Sequence, residues 1–264
     1  MGLFVKRKKS KFNNSNLLKK FLKGFFIFSV VVAIIVIGSI NGLRNAKDLF
    51  GEKLSVVIEY VNDINKKVEE SEVVSKPVAT FESFQEKANI SGFSGYENLD
   101  GVLELQETME LTDAELGVLL SNYLQSKEEL LSIREFTVLE NESIKIVFLY
   151  DLREIKKVLS LAGDIIPDKM YITNTYSYTF ELDENNTQKI ITNKTETIIN
   201  KLTKERSEEI INYFKKIDTK EDVDGLFKEY DNYVFNILND VIIKTESTLS
   251  ISLIENQGYV TFTK

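Results

Sequence analysis

Carboxylates are the side chains in this sequence that could carry chemistry. The 264 residues include no His and no Cys, which excludes a Ser-His-Asp triad, a thiol nucleophile and metal sites built on imidazole or thiolate. A pair of carboxylates can still hydrolyse a glycosidic bond. Glu140, Asp151, Glu154 and Glu181 are available for such a pair, but the chain has 41 Asp and Glu residues and no spacing singles out two of them. A hydrolase acting on the cell wall is therefore the least favoured interpretation.

The sequence also contains no complete motif of a calcium-binding or phosphate-binding loop. Asp222, Asp224 and Gly225 are similar to part of a calcium-binding loop, but Lys220 would occupy the first ligand position and Asp231 the twelfth, where a Glu is required. We interpret this segment as a helix-capping turn. The 12 glycines are scattered and form no phosphate-binding loop. We therefore expect no catalytic residue, no metal and no cofactor.

Charge is distributed unevenly along the chain. Residues 1–47 contain ten basic residues and no acidic one, whereas 23 basic and 41 acidic residues follow from Asp48 onward, a net charge of −18. A body of this charge repels the phosphates of nucleic acid. Nucleic acid is therefore not an expected partner of the body.

An uncharged apolar run near the start is the strongest signal. It covers the 20 residues 24–43, and a helix of that length spans about 30 Å, the thickness of the hydrocarbon core of a bilayer. Eight basic residues precede it, which predicts a cytoplasmic head over 1–23 and an extracytoplasmic C-terminus. The protein is thus expected in the cell membrane as a single-pass chain. The alternative is a cleaved signal peptide, for which Val36-Ile37-Gly38 is the nearest cleavage candidate.

A heptad stripe follows the apolar run. Within the predicted juxtamembrane amphipathic helix 44–70, apolar residues are spaced four and three apart as in a coiled-coil seam. The candidate seam consists of Phe50, Leu54, Val57, Val61, Ile64 and Val68. It could form a homodimer, or the helix could pack on its own domain, because short isolated helices depend on tertiary packing. Residues 71–101, rich in Ser and Gly, are interpreted as a connector.

The remainder, 102–264, is predicted to be an α+β domain in which amphipathic helices pack on a curved antiparallel β-sheet. Thr112 and Glu115 form the capping-box pattern of a helix start. Residues 144–150 are apolar on both faces and predict a central strand. Residues 170–182 alternate apolar and polar side chains, which indicates a strand with one covered face, and 188–199 can return as its hairpin partner.

Aromatic side chains on the covered face could line an apolar groove for a lipid tail. The groove would lie between this strand and the long amphipathic stretch near 223–242. Its candidate residues are Tyr176, Tyr178, Phe180, Phe227, Tyr230 and Val234. The alternative is that these side chains are simply core.

The layout resembles that of a known family. A basic head, one apolar span, a connector, then the Leu111–Leu116 helix opening Leu-Thr-Asp-Ala-Glu-Leu and antiparallel strands look like the YpmS-like single-pass extracytoplasmic proteins of Gram-positive bacteria. More distantly, they look like TULIP-type lipid-binding domains. This chain departs from that layout in its extra helical pair over 203–242, and no functional residue carries over.

Together these observations lead to two functional expectations. The first, which the resemblance also implies, is a membrane-anchored, non-enzymatic protein that binds a lipid or another hydrophobic molecule of the cell envelope. The second is an oligomeric envelope scaffold that dimerises through the candidate seam. The membrane itself is a partner in both.

Overall fold

The computed structural model describes residues 56, 59–68, 79–98, 101–127, 131–153, 167–217 and 223–264. Residues 98, 125–127, 214–217 and 223–233 within these ranges are described by their backbone alone. None of the helices within these ranges is long and apolar enough to cross a membrane. The predicted head and transmembrane segment, 1–43, lie outside the described residues.

The described chain combines helices with antiparallel strands, which confirms the predicted α+β class. The helices are α1 (Phe81–Ser91), α2 (Asp113–Lys127), α3 (Lys204–Ile217) and α4 (Val223–Thr245). The strands are β1 (Met109–Thr112), β2 (Leu131–Leu139), β3 (Ser143–Asp151), β4 (Lys169–Leu182), β5 (Gln188–Ile199), β6 (Thr248–Ile254) and β7 (Gln257–Thr263). Residues 59–66 are also helical. The predicted central strand is β3, and the predicted hairpin is β4–β5.

The strands form two sheets instead of the single curved sheet that was predicted. One has the order β2-β3-β4-β5 and the other β1-β7-β6, and all pairs are antiparallel. Helix side chains occupy both outer edges of the larger sheet. On β2, the N–H of Ile133 donates to Ser121 Oγ at 3.2 Å. On β5, the N–H of Ile190 donates to Asn239 Oδ1 at 2.9 Å. A backbone donor that is already bonded is not available to a further strand, so these side chains help to protect the two edges.

One hydrophobic core joins the two sheets to α1, α2 and α4. Its largest fully buried side chains include Phe84, Leu111, Leu120, Phe148, Tyr176 and Phe262. Strand β2 packs against β6 and β7, so the sheets share this core and do not form separate domains.

Helix α1 lies within residues 71–101, which were predicted to be a connector. Thr80 caps its start by accepting the N–H of Ser83 at 3.2 Å, and Gly92 ends it with a φ of 63°, a conformation that glycine adopts without steric cost. Phe84 and Ala88, four residues apart on one face, are completely buried. Of the Ser and Gly residues that predicted a connector, Ser83 and Ser91 lie in this core helix, and Gly92, Ser94 and Gly95 lie in the segment that follows it.

The predicted capping box at the start of α2 is confirmed. The N–H of Glu115 donates to Thr112 Oγ1 at 3.2 Å, and the N–H of Thr112 donates to Glu115 Oε2 at 2.8 Å. Lys87 of α1 adds an ion pair to the same carboxylate at 2.8 Å. Burial opposes the ionisation of Glu115, but the hydrogen bonds from Lys87 and Thr112 outweigh it and lower its pKa. The cap therefore also joins α1 to α2.

Candidate functional site

An apolar row on the inner face of β4 runs out of the core toward the end of the strand. Alternate residues of a strand share one face, so Tyr176, Tyr178, Phe180 and Leu182 point the same way. Tyr176 is 1% exposed, Tyr178 is buried, Phe180 is half-buried and Leu182 is 68% exposed. We call Tyr178, Phe180 and Leu182 the β4 ledge. It is an apolar surface that continues the core into solvent.

Two amide side chains hold the end of the β4–β5 hairpin in place. Asn239 of α4 accepts the N–H of Ile190 and donates to its carbonyl oxygen at 3.2 Å, and Ile190 pairs with Phe180. Gln188, which pairs with Leu182, accepts the N–H of Leu249 at 2.6 Å. These side-chain bonds attach β5, the strand paired with the ledge, to α4 and β6.

The ledge carries no charge of its own. The rings of Tyr178 and Phe180 meet edge to face with centroids 5.6 Å apart. Burial, and then the nearby carboxylate of Glu142, raise the pKa of Tyr178 above its ordinary value, so this phenol is neutral at physiological pH. At the neighbouring hairpin turn, Lys189 Nζ forms an ion pair with Asp183 Oδ2 at 3.2 Å. An uncharged apolar surface of this kind can bind a hydrophobic molecule.

The predicted groove residues are partly brought together. Tyr176 packs edge to face on Phe235 at 5.0 Å, and it belongs with Tyr178 and Val234 to the main core. The deep half of the predicted groove is thus filled by side-chain packing. The side chains of Phe227 and Tyr230 lie outside the described residues.

Leu182 belongs to the ledge but was not among the residues predicted to line the groove. It continues the alternation of β4 by one step, so the strand pattern contained the signal. The strand pattern alone did not show which of its apolar residues would be exposed.

The candidate dimer seam is only partly described. Val61 is buried in the main core, and Ile64 is buried in a second, smaller core with Tyr60, Ile199, Leu202 and Ile210. Val68 is half-buried, whereas Phe50, Leu54 and Val57 lie outside the described residues. Val61 and Ile64 thus pack within their own chain, as the alternative interpretation of the stripe expects.

Among the described candidate carboxylates, Asp151 is bound by an arginine and Glu140 is exposed. Arg153 Nε donates to both oxygens of Asp151, at 2.9 and 3.0 Å, and these bonds lower the pKa of Asp151. A general acid in such enzymes needs a raised pKa. Glu181 is exposed, and Glu154 lies outside the described residues. Within the described ranges, no group of three or more acidic side chains could hold a metal ion.

Comparisons with known proteins identify no relative of this chain. No protein-family model matches the sequence, and neither a curated protein nor a solved structure is significantly similar to it. The proposals below therefore depend on the sequence and the contacts described above.

Proposed function

We propose that the protein is a single-pass membrane protein whose acidic α+β body lies outside the cytoplasm and binds a lipid or another hydrophobic envelope molecule without catalysing a reaction. The anchor is the uncharged run 24–43, which follows eight basic residues. Basic residues are retained on the cytoplasmic side of a membrane. This asymmetry supports an external body.

Alkylation of single cysteines in intact cells tests the orientation, because the chain has no native Cys. A cysteine at exposed Ser252 of β6 should react with a membrane-impermeant maleimide in intact cells, provided the wall is permeable to the reagent. A cysteine at Ser10 in the basic head should react only after permeabilisation. Labelling of both positions only after lysis would contradict the proposed orientation. A chain mass that lacks the first residues would instead indicate a cleaved signal peptide.

The observation that carries the binding proposal is the β4 ledge. Its outer end, exposed Leu182 next to half-buried Phe180, would be stabilised by a cover, because a large apolar side chain gains about 1.5–3 kcal/mol on full burial. The hydrogen bonds of Asn239 and Gln188 fix β5, which pairs with the ledge through Phe180 and Leu182. A pre-formed apolar surface favours a hydrophobic ligand, since the protein loses less conformational entropy on binding.

Replacing Leu182 with aspartate should weaken binding of a fluorescent NBD-labelled fatty acid at least about tenfold, which corresponds to about 1.4 kcal/mol. The reason is that the substitution removes apolar contact and places a charge where the acyl chain would lie. Fluorescence titration of the purified full-length chain in nanodiscs measures the affinity, with nanodiscs lacking protein as the background. Because Leu182 is largely exposed, we expect the fold to be retained.

Ile254→Asp is the matched control, since Ile254 is 56% exposed at the end of β6, outside the ledge. Its affinity for the probe should equal that of the wild type. Equal binding by the wild type and Leu182→Asp, or the same loss in both variants, would contradict a binding site on the ledge.

A further inference from the structure

Arg206 of α3 joins the helical residues 59–66 to the body. Its Nε donates to Asp63 Oδ2 at 2.9 Å, its Nη2 to Glu59 Oε1 at 2.5 Å and its Nη1 to Glu209 Oε2 at 2.7 Å. The guanidinium carbon lies 4.7 Å from the ring centroid of Tyr60, whose hydroxyl donates to Glu209 Oε1 at 3.1 Å. One cation thus holds two carboxylates of the 59–66 helix and one of α3.

Apolar and backbone contacts complete this attachment. Tyr60 and Ile64 are buried in the smaller core, and Val56 packs against it. Asn200, which follows β5, donates from Nδ2 to the carbonyl oxygen of Ile64 at 3.0 Å. We call Val56 and residues 59–68 the docked segment.

The docked segment shortens the covalent path from the proposed anchor to the body. From the end of the apolar run to Val56 there are 12 residues, 44–55, whereas 37 residues, 44–80, precede α1. A fully extended chain spans at most about 3.3–3.6 Å per residue, so the limits are about 43 Å and about 130 Å respectively. Whether the segment is docked therefore changes the maximal reach of the body about threefold.

We propose that the docked segment is a strap, closed by Arg206, that holds the body close to the bilayer and gives it a longer reach when it opens. The proposal rests on the membrane anchor of the proposed function. The buried apolar side chains of the strap are few, Tyr60, Val61 and Ile64. Without the cation, three carboxylates would face one another. Arg206 is consequently the position at which a change of charge opens the strap.

Arg206→Glu tests the proposal, because it places a fourth carboxylate among Glu59, Asp63 and Glu209. The full chain is reconstituted in phosphatidylcholine nanodiscs with acceptor-labelled headgroups and carries a donor dye on a cysteine at Ser252. Energy transfer should fall by at least half in Arg206→Glu. Amide hydrogen exchange over residues 60–66 should accelerate at least tenfold, while exchange in β3 and β4 stays as in the wild type, which shows that the body remains folded.

Two further variants make the result specific. Arg134→Glu changes the charge equally at an exposed position of β2 and should behave as the wild type. Adding Glu59→Lys and Asp63→Lys to Arg206→Glu restores opposite charges across the contact and should recover both energy transfer and slow exchange.

Unchanged energy transfer and unchanged exchange over 60–66 in Arg206→Glu would overturn the strap. Faster exchange with unchanged energy transfer would show that Arg206 docks the segment but would overturn its effect on reach. A wild-type chain that does not remain with the nanodiscs on flotation would refute the anchor. The strap's role in setting reach would be refuted with it, whereas the exchange data would still report docking through Arg206.

Discussion

Replacing Phe84 with alanine should lower the free energy of unfolding by about 3–5 kcal/mol, the usual cost of deleting a buried aromatic ring. Phe84 is 0% exposed. Its ring meets those of Tyr96 at 5.1 Å and Phe93 at 6.4 Å, both edge to face, and stacks on Phe81 at 5.6 Å. The cavity would open where α1 joins the main core. The result would show that α1 is part of the body even though its sequence has the composition of a connector.

Urea unfolding of the purified chain, followed by far-UV circular dichroism, measures this loss. Ile90→Ala is the matched control, since Ile90 lies in the same helix but is 79% exposed. It should change stability by no more than about 0.5 kcal/mol, as is usual for surface positions. If Phe84→Ala and Ile90→Ala had equal effects, α1 would not be packed against the core.

Replacing Asn200 with alanine should cost about 2–4 kcal/mol of stability. The buried N–H of Tyr171 loses a partner, which costs about 1–3 kcal/mol, and the lost bond to Ile64 adds about 1 kcal/mol, because the carbonyl oxygen of Ile64 keeps the N–H of Lys67. Asn200 is completely buried. Its Oδ1 accepts the N–H of Tyr171 at 2.6 Å, and its Nδ2 donates to the carbonyl oxygen of Ile64 at 3.0 Å. Alanine can make neither bond, so both the β4–β5 sheet and the docked segment lose an attachment.

Two other variants separate the hydrogen bonds from backbone strain. Asn200 has a φ of 44°, in the left-handed region, where a β-carbon costs about 1–2 kcal/mol. Asn200→Gly should therefore be about 1 kcal/mol less destabilising than Asn200→Ala. Lys201 lies in the same backbone region, with a φ of 54°, but its side chain is exposed. Lys201→Ala should therefore leave the stability nearly unchanged. Equal stability of Asn200→Ala and Lys201→Ala in the same urea experiment would show that the amide contacts contribute nothing.

Local features of the fold followed from the sequence alone. The capping box at Thr112 and Glu115 needs only two side chains three residues apart. The β4–β5 hairpin followed from alternation in 170–182 and from the turn residues after it. Helices α3 and α4 followed from apolar periodicity. Each of these signals lies within one element, so no knowledge of distant residues was needed.

The tertiary structure decided how these elements meet. The strands divide into two sheets, and Ser121 and Asn239 bond to the outer strands β2 and β5 of the larger one, although Asn239 is 49 residues from Ile190 along the chain. The heptad stripe has the spacing of a seam, yet Ile64 is buried with Ile199 and Ile210, more than 100 positions away, and Val61 is buried in the main core. Periodicity determines which face of a helix is apolar. Which surface covers that face depends on long-range contacts, and a local pattern does not contain them.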